Sequence, residues 1–197
     1  MARPRRSDHN RQPLLEAGVT LLSEQGYHGT GLKQILDRVK IPKGSFYHYF
    51  DSKEQFAAEV IHYYIDQYVS QLKQVTDQPG LAPMERLLAV IEFTLDKLEQ
   101  EGLEKGCMLG NLTAEVGGQS ELCTQAMLRG WTLWQSWLTS QFEEAQQRHE
   151  VRQDLTAEQM ARLFWDRWEG GLLRIKLQGS TQGFRQDMAL MLKVILR

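Results

Sequence analysis

Residues 26–54, GYHGTGLKQILDRVKIPKGSFYHYFDSKE, set two short helical patterns on either side of a tight connection, which leaves this stretch few ways to fold. In the first pattern Leu32, Ile35, Leu36 and Val39 recur at helical spacing. Thr30 stands just before it, where a side-chain oxygen can satisfy the free N–H groups of a first turn, and is expected to be its N-cap. The second pattern starts near Pro42, a residue suited to the first helical position because it has no N–H to lose, and ends near Phe50. At about 100° per residue, Phe46, Tyr49 and Phe50 fall on one side, and Lys43, Gly44, Tyr47 and His48 on the other. One face packs. The other carries an ammonium, a residue without a side chain, a phenol and an imidazole, which suits close approach to a polyanion and hydrogen bonds to phosphates or base edges. Such a pair of helices has the layout of a DNA-reading helix-turn-helix.

The charge distribution agrees. The formal net charge of the 197 residues is -2, so affinity for nucleic acid has to come from local charge. Residues 1–60 hold nine Lys or Arg against seven Asp or Glu, a net of +2, and the remainder fourteen against eighteen, a net of -4. Arg3, Arg5, Arg6 and Arg11 make a basic N-terminal arm of the kind that lies along phosphates or enters a minor groove, or that simply stays solvated. The two cysteines, Cys107 and Cys123, are too few for a disulfide framework or a zinc site, which points to a reducing compartment. No apolar run approaches the roughly 18 residues of a membrane span, and no leader-like stretch opens the sequence, so the expected location is cytoplasmic.

Helical spacing recurs in nearly every long segment, and no strand-like alternation persists, so the chain is expected to be all-α. Leu14, Ala17, Leu21 and Leu22 mark a helix before the motif. Phe56, Val60, Tyr64, Tyr68 and Leu72 mark one of about 20 residues after it. A break at Gln78, Pro79, Gly80 and Pro83 precedes a helix near residues 84–98. Met127, Trp131, Trp134, Leu138 and Phe142 align on another, and two more are expected near 156–178 and 182–196. The last of these carries Phe184, Met188, Met191, Leu192 and Ile195 on one stripe that needs covering. The functional boundary is placed between a helix-turn-helix domain with a basic arm, residues 1–54, and a larger helical domain, residues 55–197.

The motif resembles the N-terminal DNA-binding domain of the TetR family of transcriptional regulators: G-[YF]-x-x-T, a helix, K-G-[ST]-[LF]-Y-x-[YH]-F, then S-K-E. Matching residues are Gly26, Tyr27 and Thr30; Lys43, Gly44, Ser45, Phe46, Tyr47, Tyr49 and Phe50; and Ser52, Lys53 and Glu54. Lys40 replaces the usual turn glycine and Pro42 a common serine or threonine; a lysine at positive φ there would be strained. The resemblance implies that Lys33 and Lys43 read base edges, with Gly44 and Ser45 beside them, and that Thr30, Tyr47, His48 and Lys53 contact phosphates. It further implies a homodimer, joined by the last two helices in a four-helix bundle, that reads a near-palindromic operator in double-stranded DNA with half-sites roughly 34 Å apart.

Five glycines, at 102, 106, 110, 117 and 118, interrupt a segment that otherwise reads as helix. Each would cost about 1 kcal/mol relative to alanine in a helix interior. Close helix packing is one account of them, and a distorted helix lining a cavity around residues 106–111 is another. Cys107 in that segment is either a small buried hydrophobe or a reactive thiol. The stretches KGCMLGNLTAEVG and FWDRWEGGLLRIKL are similar to those of a TetR subgroup that includes acrylate-responsive repressors and reactive-electrophile sensors, in which a glycine-cysteine pair and a later lysine recur, here Gly106, Cys107 and Lys176. On that resemblance Cys107, Asn111, Trp134, Trp168 and Lys176 are expected to form an effector site. Lys176 or Arg174 would meet a small carboxylate.

The expected function is that of a ligand-responsive regulator, a repressor released from its operator by a small effector such as an unsaturated carboxylate, an aldehyde or another electrophile, with no cofactor and no membrane partner. Two rival classes fit the sequence less well. A metal-dependent helical enzyme would need a second E-x-x-H besides Glu59-Val60-Ile61-His62, and further glutamates on facing helices. A structural adaptor leaves the free polar face at Lys43, Tyr47 and His48 without a purpose.

Overall fold

A computed structural model of the protein describes residues 8–197; Arg3, Arg5 and Arg6 of the basic arm lie outside them. Among the described residues all regular structure is helical: α1 Asp8–Gly29, α2 Leu32–Val39, α3 Lys43–Phe46, α4 Lys53–Thr76, α5 Pro83–Glu101, α6 Met108–Val116, α7 Glu121–Gln147, α8 Ala157–Gln178 and α9 Gln182–Leu190, followed by a π-helical turn, Met191–Ile195. They pack as two compact units.

The first unit contains residues up to Gln67 together with 108–130. Leu14, Leu21 and Leu22 of α1, Ile35 of α2, Phe46 and Phe50 of the α3 region, and Phe56, Val60 and Ile61 of α4 are all nearly inaccessible to solvent. Gly18 lets α1 close onto α4, since a Cβ there would come within 2.7 Å of Phe56 Cζ and overlap Val60. Helix α3 has only four residues, far below the length at which a helix holds by itself. Its order comes from packing: burial of Phe46 and Phe50 contributes about 1.5–3 kcal/mol each. Helix α6 packs on α1 with Leu109, Leu112 and Val116 buried.

In the second unit, residues 68–107 and 131–197, one core joins Leu87, Ile91 and Leu95 of α5, Leu138 and Phe142 of α7, Met160, Phe164, Trp168 and Leu172 of α8, and Phe184 and Met188 of α9. Helix α8 opens with a reciprocal cap: Thr156 Oγ1 accepts from the Gln159 N–H at 3.1 Å, and Gln159 Oε1 accepts from the Thr156 N–H at 2.8 Å. Gly171 lies flush against the Phe184 ring.

Two expectations change here. Phe184, Met188, Met191 and Leu192 are 6% exposed or less, so their stripe is covered by the protomer's own core and asks for no partner. A different stripe stays open. Leu163, Leu173 and Leu177 on α8, with Leu190 and Val194 at the end of the chain, are 47% or more exposed, Leu177 reaching 86%. The glycines also read differently. Gly102, Gly106 and Gly118 have positive φ and lie in the connections that flank α6, where an L side chain would be strained, so the segment is not one long helix, and of the five glycines only Gly110 lies within a helix.

Candidate functional site

The helix-turn-helix elbow forms where α2 ends at Lys40 in the left-handed region, φ 58° and ψ 44°, with its N–H and that of Ile41 both bonded to Leu36 O. Pro42 is extended, φ −65° and ψ 150°, and caps α3 from outside instead of occupying its first position. The chain then runs through Lys43–Phe46 and a further turn to Phe50, tied by Ser45 N–H to Pro42 O at 3.0 Å and Phe50 N–H to Phe46 O at 3.0 Å. The division of faces holds: Phe46 and Phe50 are buried, Tyr49 and Ser45 half-buried, and Lys43, Gly44, Tyr47 and His48 exposed. Lys33 on α2 is also exposed. A Cβ built on Gly44 meets no protein atom within 4 Å, so nothing inside the fold requires glycine there.

Thr30 departs from expectation. Its side chain is fully buried, and the hydroxyl donates to Gly26 O at 2.7 Å and Leu21 O at 3.2 Å. Gly31 occupies the cap position of α2, its N–H held by Gln34 Oε1 at 2.8 Å. The threonine hydroxyl is spent on carbonyls freed where α1 breaks at Gly26, φ 70°, so it neither caps α2 nor reaches a phosphate. Lys53 is partly committed. Its ammonium donates to Tyr27 O at 2.6 Å and sits 4.2 Å from the centre of the Tyr27 ring. Burial pushes it below the ordinary lysine range, with Glu115 acting against that shift. Arg11, assigned to the arm, lies in α1 and pairs with Glu59 at 2.9 Å.

Within the same unit α6 holds the end of α1. Glu115 Oε2 accepts from the His28 N–H at 3.1 Å, and its carboxylate occupies the space that a side chain at position 26 would need. Ser120 donates to Glu54 at 2.5 Å, which fixes the start of α7 to the first turn of α4.

The second constellation lies in the second unit. Cys107 is half-buried, follows Gly106 at φ 61°, and precedes α6 instead of sitting within a helix. Its thiol donates to the carboxylate of Glu169 on α8. Burial pushes the Glu169 carboxyl up, and the thiol's hydrogen bond only partly counters this. Glu169 Oε1 is sealed from solvent and has no hydrogen-bond partner among the described residues. The Tyr68 hydroxyl shares a 2.6 Å hydrogen bond with Thr94 Oγ1, and burial, with the nearby Cys107 and Glu169, drives that phenol well above its ordinary range. Trp134 forms the wall, with its ring centre 6.1 Å from Tyr68, 6.0 Å from Trp165 and 6.2 Å from Trp168. The stem of Lys176 runs beside Gly106, where an added Cβ would lie 3.5 Å from Lys176 Cδ.

Of the expected effector residues, Cys107, Trp134, Trp168 and Lys176 therefore share one unit, whereas Asn111 belongs to α6 in the other. Arg174 is withdrawn as a carboxylate partner, because it is ion-paired to Asp187 together with Arg167. Sequence reasoning missed Tyr68, Thr94 and Glu169. Tyr68 had been absorbed into the apolar stripe of α4, and the signal for Glu169 was an acid embedded among tryptophans and glycines in FWDRWEGG.

The helix-turn-helix and the helical unit that follows it define the class: a helical DNA-binding transcriptional regulator. Residues 14–60 match the model of bacterial regulatory proteins of the tetR family, and residues 83–191 that of the tetracyclin repressor-like C-terminal domain. The chain belongs to the TetR family. It is 35% identical to the transcriptional regulator AcuR of Cereibacter sphaeroides over 85% of this chain and 76% of that one. With the HTH-type transcriptional repressor NemR of Escherichia coli it shares 30% identity over 91% of this chain and 90% of the relative, and the crystal structure of reduced E. coli NemR superposes with a TM-score of 0.86, covering 96% and 97%. A regulatory protein TetR from Rhodobacter sphaeroides gives a TM-score of 0.87 at 31% identity, covering 95% and 99%.

Proposed function

We propose that the protein is a repressor that binds a near-palindromic operator as a homodimer and releases it when a small electrophile reaches Cys107. The observation that carries the reading is the exposed face of α3. Lys43 and Gly44 of α3 and Tyr47 and His48 of the turn after it are all exposed, whereas Phe46 and Phe50 between and beyond them are buried in the core, and Lys33 of α2 is exposed as well. Lys43 and Lys33 read base edges, Ser45 supports the turn, and Tyr47, His48 and the free donors of Lys53 meet phosphates. The functional boundary falls near residue 55. The dimer forms through the open stripe of Leu163, Leu173, Leu177, Leu190 and Val194, an apolar surface that water disfavours. Such a regulator acts in the cytoplasm, where its operator is.

Release needs an effector that favours the DNA-incompetent arrangement, since a ligand without preference shifts nothing. Two helices carry the change. Helix α4 carries both Lys53, in its first turn, and Tyr68, in its second half. Helix α6 starts one residue after Cys107 and holds the end of α1 through Glu115 and the His28 N–H. Modification of the thiol changes the start of α6, and Glu115 carries that change to the helix-turn-helix.

Footprinting on the DNA flanking the protein's own gene, repeated with unsaturated acids, aldehydes and oxidants, tests both halves. Protection is expected without additives and should be lost with an electrophile in the wild type, but kept in Cys107→Ser. A Cys107→Ser protein that responds unchanged to every effector makes the thiol structural, and absence of protection on any specific sequence rejects the reading altogether.

A further inference from the structure

The two oxygens of Glu169 have different circumstances. Oε1 is sealed from solvent and meets no donor, which leaves Oε2 as the acceptor of the Cys107 thiol. A buried carboxylate oxygen without a donor is costly, and native structures rarely leave one in that state. The surroundings supply nothing to satisfy it. The hydroxyls of Tyr68 and Thr94 are bonded to each other. The aromatic wall of Trp134, Trp165 and Trp168 is mostly carbon, and Gly106 presents no side chain. Tyr68 of α4 and Glu169 of α8 face the thiol. The cations beside it are Lys105, two residues earlier in the chain, and the exposed Lys176, whose stem lies along Gly106.

We propose that this site selects electrophiles that are neutral and carry a hydrogen-bond donor, unsaturated amides above all, over anionic unsaturated acids, because an N–H of the ligand satisfies Glu169 Oε1 while its alkene meets Cys107. The proposal rests on the reading of this cluster as the effector site and narrows the chemistry of its ligand. In the reaction the thiol adds across the conjugated double bond. A bond forms between Sγ and the β-carbon, the π bond breaks, and the thiol proton passes to the Glu169 carboxylate and from there to the α-carbon, which restores the carboxylate, so that no oxidant or other co-reactant is needed. An anionic acid in the same place sets a second carboxylate against Glu169 in a poorly solvated site, where like charges repel strongly.

The test uses acrylamide and acrylate as probes of the full-length protein at pH 7.5, with the alkylation rate of Cys107 read by peptide mass spectrometry and glutathione as the reference thiol. Glutathione removes the intrinsic difference in reactivity between the two probes. The acrylamide-to-acrylate rate ratio of the protein is expected to exceed that of glutathione at least tenfold, and to fall at least fivefold towards it in Glu169→Gln, which keeps shape and hydrogen bonding but removes the charge. A wild-type ratio equal to that of glutathione overturns the proposal, even if the variant proves unstable. So does a ratio unchanged by Glu169→Gln, as does a preference for acrylate that disappears in Lys176→Met. Operator release is measured separately. Selective alkylation that leaves the operator bound sinks the release mechanism alone, and release by both probes without selectivity sinks this inference alone.

Discussion

Gly44 offers a prediction in which stability and function move in opposite directions. Glycine in a helix is about 1 kcal/mol less favourable than alanine, and a methyl group at this position would meet no protein atom within 4 Å. Gly44→Ala should therefore fold at least as well as the wild type, with a gain of up to about 1 kcal/mol, or about 2–4 °C in Tm for a chain of this size. In the proposed complex the same methyl has to fit where the backbone of α3 approaches the groove. Interfaces pack as densely as interiors, and an extra methylene forced into such packing costs about 1–3 kcal/mol. At 1.4 kcal/mol per tenfold, operator affinity should fall by a factor of about 5 to 150. Thermal melting and fluorescence anisotropy on the footprinted operator, at one fixed salt concentration, read the two effects. The salt dependence should hardly change, since no charge is lost. Unaltered affinity in a variant of normal or raised stability would show that α3 does not come close to DNA at this point, and the proposed docking would fail with it.

Lys43→Ala should weaken specific binding by about 1–3 kcal/mol through loss of a base-edge contact, and Tyr47→Phe by about 1 kcal/mol for one hydrogen bond; wild-type gel shifts in both reject those roles. Leu177→Asp, at the most exposed apolar side chain of α8, should shift the protein to monomer in analytical ultracentrifugation without lowering the melting temperature of the protomer, and an undisturbed dimer would place the interface elsewhere. Burial raises the carboxyl of Glu169 above its unfolded range, so its contribution to stability is fully present below the unfolded value of about 4.3 and is lost as pH rises through the higher folded one. Glu169→Gln should accordingly be more stable than the wild type at neutral pH, with the difference closing as pH falls towards 4, as urea unfolding at several pH values would reveal.

The helix-turn-helix was legible in the sequence because its signals are local. The spacing of Leu32, Ile35 and Leu36 and the alternation of faces from Lys43 to Phe50 depend on helix geometry alone. Thr30 was misread because its hydroxyl had two possible employers, and only the break of α1 at Gly26 freed the carbonyls that claimed it. The C-terminal helices show a similar limit. Periodicity located the stripe of Phe184 and Met188, but which neighbour covers it depends on α5, α7 and α8, and the more telling stripe from Leu163 to Val194 is scattered over two elements. The glycines around α6 misled for a different reason. Composition cannot distinguish a glycine tolerated within a helix from one required at a turn, and the sign of φ at Gly106 decides between them. Glu169 became conspicuous only when its surroundings left one oxygen without a donor.

Lys40 at the elbow has a further consequence. An L residue in the left-handed region costs roughly 1–2 kcal/mol in the native state, whereas glycine would enlarge the freedom of the denatured chain by about 0.4–1 kcal/mol. The second penalty only partly offsets the first, so lysine turns this corner at a net cost of about 1 kcal/mol or less. What differs is the cation left at the bend beside the reading helix, and the stiffness of a hinge that cannot wander through the conformations open to glycine. An elbow of this kind holds α3 at a narrowly defined angle to α2, and in the proposed dimer such heads should tolerate little variation in the spacing of the half-sites.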